Sequence, residues 1–285
     1  MILDGNKTAE ILKTEVRSAI QEIKGRPPAI AVVMVGNNPA SEIYVSRKIK
    51  ACAEVGIHSL LFHLPETATE REILEKIEHL NQDDRVDSIL VQLPLPKGVN
   101  PLNIASAISP YKDVDGLNPT NLGKLFMSED SGIAPCTPLG IMSLLEKNGI
   151  DVSGKNAVVI GRSLIVGKPM GALLLKANAT VTFLHSRTED LASFIKNADL
   201  IIAAIGKPLF LKKEMVKKGA IVIDVGINRI EDAQSPKGYR LVGDADFEAL
   251  KEHCSAITPV PGGVGPLTIA SLLGNTLKCY KKQHS

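Results

Sequence analysis

At 285 residues the chain has room for one large domain or two ordinary ones, and 33 basic against 31 acidic residues leave a formal charge of +2 without a long basic run. That balance, with 4% aromatics and no Trp, excludes an electrostatic or stacking footprint for nucleic acid. The four cysteines (Cys52, Cys136, Cys254, Cys279) show no CxxC spacing and the six histidines no HExxH, so a disulfide framework and a metal site are both unexpected. The opening MILDGNKTAEILKTEV carries Asp4 and Glu10 where a secretion signal needs a bare apolar stretch. No apolar run approaches the ~20 residues of a membrane helix. A soluble, cytoplasmic protein with reduced, buried thiols and no membrane partner is expected.

In chain order, the first half offers two Val/Ile-rich runs, AIAVVMVG (29–36) and SILVQLPLP (88–96), with helical patterns over 41–55 and 69–81 between them. These predict a smaller α/β domain. Within PCTPLGIMSLLEKNG, Thr137 and Pro138 read as the N-cap and first-turn proline of a helix that Gly149 ends, which places the domain joint there. From about 150 to 260 short apolar runs alternate with amphipathic stretches: NAVVIG, ATVTFL, ADLIIAAIG, AIVIDVGIN and SAITPV. Runs apolar at both parities suit parallel strands covered on both faces, so this half reads as a doubly wound, Rossmann-like domain. After PVPGGVGP, the stretch LTIASLLGNTLKCYKK has helical spacing and is expected to pack back on the first domain. The predicted fold is α/β with two domains, 1–137 completed by a C-terminal helix over 267–285, and 138–266 for the nucleotide.

The turn in VVIGRSLIVGKPM (158–170) lacks the GxGxxG spacing, its second glycine being Gly167 rather than two positions after Gly161. A strand entering a glycine turn, then a helix with Pro169 near its start, still aims free backbone N–H groups and the positive helix end at whatever sits above: a phosphate site. About 20 residues on, an NAD-specific domain would place an acid on the ribose hydroxyls. Here stand His185, Ser186 and Arg187, with Glu189 and Asp190 only later. With Arg162 and Ser163 in the turn, this end offers cations and hydroxyls to a 2′-phosphate, which favours NADP. The plainer alternative is an ordinary strand-to-helix turn with solvated arginines.

In SEIYVSRKIKA, Tyr44 and Lys48 lie four apart and share a helix face. A Tyr/Lys pair serves catalysis when the amine is held neutral, which burial and cationic neighbours such as Arg47 and Lys50 favour. Gln92 interrupts an otherwise buried strand, and a neutral amide can bond an amine without stabilising its charge as a carboxylate would. In KDVDGLNP, Asp113 and Asp115 flank a turn signal and either can cap it. A carboxylate is equally the natural acceptor for an aminopyrimidine edge.

YVSRK, VQLPLP, KDVDG, PCTP, GRSLIVGKP, AIVIDVGIN and ITPVPGGVGPLT occur in this order, and with them the chain, from ILDG to the last helix, resembles the bifunctional methylenetetrahydrofolate dehydrogenase/methenyltetrahydrofolate cyclohydrolase (FolD) family. The resemblance implies an enzyme of one-carbon metabolism. Its reactions would be NADP-dependent oxidation of 5,10-methylenetetrahydrofolate to the methenyl form and hydrolysis of that to 10-formyltetrahydrofolate. It also implies a cleft between the two domains and a homodimer joined through the nucleotide domains. Carried over by motif, Lys48 is the catalytic group, Tyr44 stacks on the folate rings and positions it, Gln92 hydrogen-bonds it, and Asp115 rather than Asp113 receives the pterin's amino edge. Val91 and Leu93 supply backbone around the substrate, and Pro261, Gly262, Gly263, Val264, Gly265 and Pro266 form a loop over it. Gly161, Arg162, Ser163, Ser186 and Ile227 match the family's NADP contacts. Two other readings remain: a different two-domain NADP dehydrogenase with a shikimate-like or amino-acid substrate, against which YVSRK with PGGVGP speaks, and a non-catalytic nucleotide module, against which Lys48, Gln92 and Asp115 speak together.

Overall fold

The computed structural model describes residues 1–235 and 238–284. The chain folds into two compact units, Glu10–Cys136 with Ile269–Ser285, and Met1–Ala9 with Thr137–Thr268.

The first unit is built on β1 (Ala29–Val35), whose seven residues are all buried. It lies between β2 (His58–Leu64) and β3 (Ser88–Val91) in a parallel sheet. Because side chains alternate along a strand, Ile30, Val32 and Met34 join one core with Val45, Cys52, Val55, Leu272 and Leu273. Ala31, Val33 and Val35 join another with Ile73, Ile77, Leu80 and Ile104. A strand with helices on both faces has no polar side, hence its unbroken apolar run. Up to residue 126 the helices of the chain are α1 (Gly5–Gln21, continuing from the other unit's first residues), α2 (Pro39–Val55), α3 (Glu70–Gln82), α4 (Pro101–Ala107) and α5 (Pro119–Phe126). Thr69 and Glu72 form a capping box at α3. Asn100 and Asn118 cap α4 and α5 ahead of first-turn prolines. The strand β2 is absent from the sequence-based elements: as an edge strand it is only partly buried, through Leu60, Phe62 and Leu64, and polar residues dilute its apolar pattern.

In the second unit α6 (Cys136–Lys147) starts before Thr137, which therefore lies inside the first turn instead of capping it; its hydroxyl pairs with that of Thr268 at 2.9 Å. There follow β4 (Asn156–Ile160), α7 (Gly167–Lys176), β5 (Thr180–Leu184), α8 (Leu191–Lys196), β6 (Leu200–Ala203) and β7 (Ile221–Asp224). Next come β8 (Asn228–Glu231), β9 (Tyr239–Val242), α9 (Phe247–Leu250) and β10 (Ala256–Ile257), then α10 (Val264–Gln283), which from Ile269 on belongs to the first unit. The parallel sheet runs β10-β7-β6-β4-β5, so the chain reverses direction across the sheet between β4 and β6. Ligands of doubly wound sheets bind outside the carboxyl ends of the strands at such a switch point. AIVIDVGIN is not one strand: β7 stops at Asp224 and Asn228 opens an antiparallel hairpin.

Two further boundaries differ from the sequence reading. Met1–Leu3 extend the second unit's sheet, Leu3 N–H donating to Ile257 O (2.8 Å) and Ile257 N–H to Met1 O (3.0 Å), so the first nine residues do not group with the rest of 1–137. The last helix begins at Val264 rather than 267, because Pro266 in a first turn has no N–H to satisfy. The loop expected over 261–266 is thus Pro261–Gly263 followed by helix.

Candidate active site

The helix α2 is started by Asn38, whose side-chain oxygen accepts the Ser41 N–H at 3.2 Å. Its core side carries Val45 and Cys52, which leaves Tyr44, 43% exposed, and the half-buried Lys48 on a neighbouring face. Lys48 Nζ donates to Gln92 Oε1 at 3.0 Å. Gln92 does not interrupt β3 but follows its last residue, extending the ladder once more through its N–H to Val33 O (2.8 Å). Its Nε2 donates to Leu93 O at 2.6 Å, which turns Oε1 toward the amine. Val91 is buried and Leu93 half-buried beside it, and the Leu93–Pro94 peptide is cis.

The two aspartates of KDVDG separate cleanly. Asp113 accepts the N–H groups of Leu117 (3.2 Å) and Asn118 (2.8 Å) and the side-chain amide of Asn121 (2.9 Å). It is the turn's cap. Asp115 has no such duty: burial pushes its carboxyl above the usual carboxylate range, against the opposing charge of Lys48 and a hydrogen bond with the Cys136 thiol. Between them Gly116 takes φ +67°, and a Cβ there would come within 2.6 Å of the Ala134 backbone. Cys136 and Asn275 escaped the sequence reading. The Cys136 thiol donates to Val114 O at 3.4 Å, and Asn275 Nδ2 donates to Val114 O and Ala134 O, both at 2.9 Å, tying the two segments that flank Asp115. Their only signals were the PCTP motif and an Asn in the middle of the last helical stretch.

In the second unit Gly161 ends β4 at φ +131°, and a Cβ on it would overlap the carbonyl of Ala204, just past β6. Gly167 likewise abuts the backbone of Gly161 and Arg162, so the wide glycine spacing serves one close approach between turn and helix. The helix N–H groups are not free as expected: Ser163 Oγ accepts those of Val166 (3.1 Å) and Gly167 (3.3 Å). Ser163 thus stands in as a cap, and the turn's offer to an anion rests on its exposed segment, Arg162–Ile165. Across the β4–β5 pair, Ser186 and Arg187 are exposed as well. Asp190, the later acid of this segment, is committed elsewhere: it caps α8 by accepting the Ser193 N–H. Ile227, 51% exposed, lies between β7 and the hairpin. Gly262 O accepts the N–H of Gly5 at 2.9 Å, which fixes the loop before α10.

Chemically, the first unit presents an amine oriented by a neutral amide, a nearby carboxylate without capping duty and a phenol. The second presents cations and hydroxyls at the ends of adjacent parallel strands, which fits a phosphorylated dinucleotide.

Residues 3–115 match the family model of the tetrahydrofolate dehydrogenase/cyclohydrolase catalytic domain, and residues 135–284 that of the tetrahydrofolate dehydrogenase/cyclohydrolase NAD(P)-binding domain. The sequence is 51% identical over 289 aligned positions to the bifunctional protein FolD of Protochlamydia amoebophila, covering 100% of this chain and 99% of the relative. The structure is similar to that of the bifunctional methylenetetrahydrofolate dehydrogenase/cyclohydrolase FolD from Campylobacter jejuni, with a TM-score of 0.95, 49% identity and 99% of each chain covered. It is also similar to the Trypanosoma brucei methylenetetrahydrofolate dehydrogenase-cyclohydrolase complexed with NADP cofactor and inhibitor, with a TM-score of 0.93, 37% identity, and 100% of this chain and 98% of that one covered.

Proposed function

The chain belongs to the tetrahydrofolate dehydrogenase/cyclohydrolase family, and from that premise we propose how its residues divide the work. The protein is an NADP-dependent methylenetetrahydrofolate dehydrogenase and methenyltetrahydrofolate cyclohydrolase: it oxidises the 5,10-methylene compound to 5,10-methenyl and hydrolyses that to 10-formyltetrahydrofolate. NADP, when bound, takes the hydride; the chain supplies orientation and proton handling.

In this reading Lys48 takes and returns the protons of the hydrolytic water, and Gln92 aims its amine. Tyr44 stacks on the folate rings, Asp115 accepts the amino edge of the pterin, and the Val91 and Leu93 backbone lines the substrate. The segment Pro261–Pro266 lies against the rings. Arg162, Ser163 and Ser186 hold the 2′-phosphate, while Gly161 and Ile227 border the rest of the cofactor. The observation that carries the assignment is the 3.0 Å bond from Lys48 to Gln92, set where Asp113 caps the turn and leaves Asp115 for a ligand. Folate binding falls to residues 1–137 with 267–285, and NADP binding to 138–266.

Two finer expectations join it. A homodimer formed through the nucleotide unit is supported by β5, an edge strand that exposes Phe183, with Leu175 exposed on the preceding α7. Work in the cytoplasm is supported by four free, buried cysteines, whose thiols burial pushes up, to about 11 at Cys52 and Cys254 and about 12 at Cys279. Among the described residues no helix is long and apolar enough to cross a membrane. The test is to supply methylenetetrahydrofolate with NADP or NAD and follow methenyl formation and decay separately. Oxidation with NADP, followed by hydrolysis in the same preparation, is expected. Hydrolysis that persists when Lys48 is replaced would overturn the division proposed.

A further inference from the structure

Two buried carboxylates in the nucleotide unit take no part in the reaction as described. Asp244, reached from β9 through Gly243, is 0% exposed. Its Oδ2 accepts the N–H groups of Ile205 (2.7 Å) and Gly206 (2.9 Å), in the turn after β6. Its Oδ1 accepts the side-chain amide of Asn228 (2.9 Å), the neighbour of Ile227 after β7. One side chain therefore fastens the loops that follow two adjacent strands. Asp224, 2% exposed, fastens Asp244 in turn: its Oδ1 accepts the N–H groups of Gly226 (3.0 Å) and Asp244 (2.9 Å), and its Oδ2 that of Ala245 (2.8 Å). There is no slack in the assembly, since a Cβ on Gly226 would overlap the Asp244 carboxylate and one on Gly243 that of Asp224.

An ionised carboxylate is the only ordinary side chain that offers two acceptor oxygens and no competing donor. An amide would set an NH2 group against one of the donors. The loops so fastened lie at the carboxyl ends of β6 and β7, on the far side of the switch point from Arg162 and Ser186. If those residues hold the 2′-phosphate, the β6 and β7 loops border the nicotinamide half. We propose that Asp244 is a positioning residue for NADP, setting the Ile205–Gly206 and Ile227–Asn228 loops for the nicotinamide half and so serving hydride transfer but not hydrolysis. The inference rests on the cofactor edge assigned above.

The cyclohydrolase half-reaction, run on methenyltetrahydrofolate supplied without NADP, is the internal control. Losing a hydrogen bond to a charged group corresponds to roughly a ten- to hundredfold change. Asp244→Asn should therefore raise the KM for NADP about tenfold or more and lower the dehydrogenase kcat, with hydrolysis within about twofold of wild type. Asn228→Ala removes only the Oδ1 bond and leaves both carboxylates, so it should show a smaller change in the same sense, and it carries the test if Asp244→Asn does not accumulate. Parallel loss of both activities, or unchanged NADP parameters in Asn228→Ala together with any folded Asp244→Asn, would overturn the proposal. An Arg162→Ala variant that loses NAD and NADP equally would instead overturn the cofactor-edge assignment beneath it.

Discussion

Replacing Lys48 by Met should separate the two reactions. The substitution keeps the length and apolar stem of the side chain on α2 and removes the amine that donates to Gln92 Oε1 at 3.0 Å. For folding the loss is one hydrogen bond from a half-buried group, about 1 kcal/mol, because Gln92 retains its bond to Leu93 O. For hydrolysis the loss is general acid-base help, typically ~10²- to 10⁴-fold, or about 3 to 5 kcal/mol of barrier. The second figure exceeds the first severalfold, so the variant should fold and still fail at hydrolysis. Hydride transfer depends on alignment and should fall less. It should not escape entirely, since Lys48 also offsets the burial that pushes the Asp115 carboxyl up, and weaker folate binding raises the KM of both steps. Methenyl formation from methylenetetrahydrofolate and NADP, and decay of methenyltetrahydrofolate supplied directly, should be followed in wild type and variant, with circular dichroism as the folding control. Accumulation of methenyl product is the expected signature. Unchanged hydrolysis in a folded variant would refute the catalytic role and leave Lys48 an ordinary helix lysine bonded to a loop amide.

Arg162→Ala should weaken NADP by roughly 1.5 to 3 kcal/mol and NAD far less, because only NADP carries the second phosphate; kcat/KM for each cofactor decides it. Asp115→Ala should raise the folate KM and depress both activities with little change in Tm. Asp113→Ala should lower Tm instead, since it strands the N–H groups of Leu117 and Asn118 and the Asn121 amide. Burial pushes Asp113 and Asp224 each up to about 6, above the unfolded value near 4, so the folded state binds more protons between those limits. Stability should consequently rise as pH falls from 7 toward 5, by about 1 kcal/mol per group, with denaturant midpoints as the measure. A midpoint that falls steadily over that interval would show that the surrounding amides hold both carboxylates charged without penalty.

How far the sequence discloses such a site depends on the separation over which its contacts close. The run from Ala29 to Val35 announces a strand covered on both faces because every residue reports burial on its own. Tyr44 and Lys48 announce a shared helix face because four residues make one turn. By contrast β2, half-buried at the sheet edge, has no period strong enough to read, and Met1–Leu3 join β10 across some 250 residues of chain. The hydroxyl of Ser163 looks like a phosphate ligand in the sequence and proves to hold the helix start as well. The aspartates make the sharpest case. Asp113, Asp115, Asp224 and Asp244 are the same residue in similar Gly-containing settings, and nothing local distinguishes them. What separates them is how many donors the fold brings to each carboxylate: three reach Asp113, three reach Asp224 and three reach Asp244. A carboxylate whose lone pairs are taken by the chain's own amides shapes backbone. Asp115 meets a thiol and the charge of a lysine instead, so its acceptor capacity remains for the amino edge of a substrate.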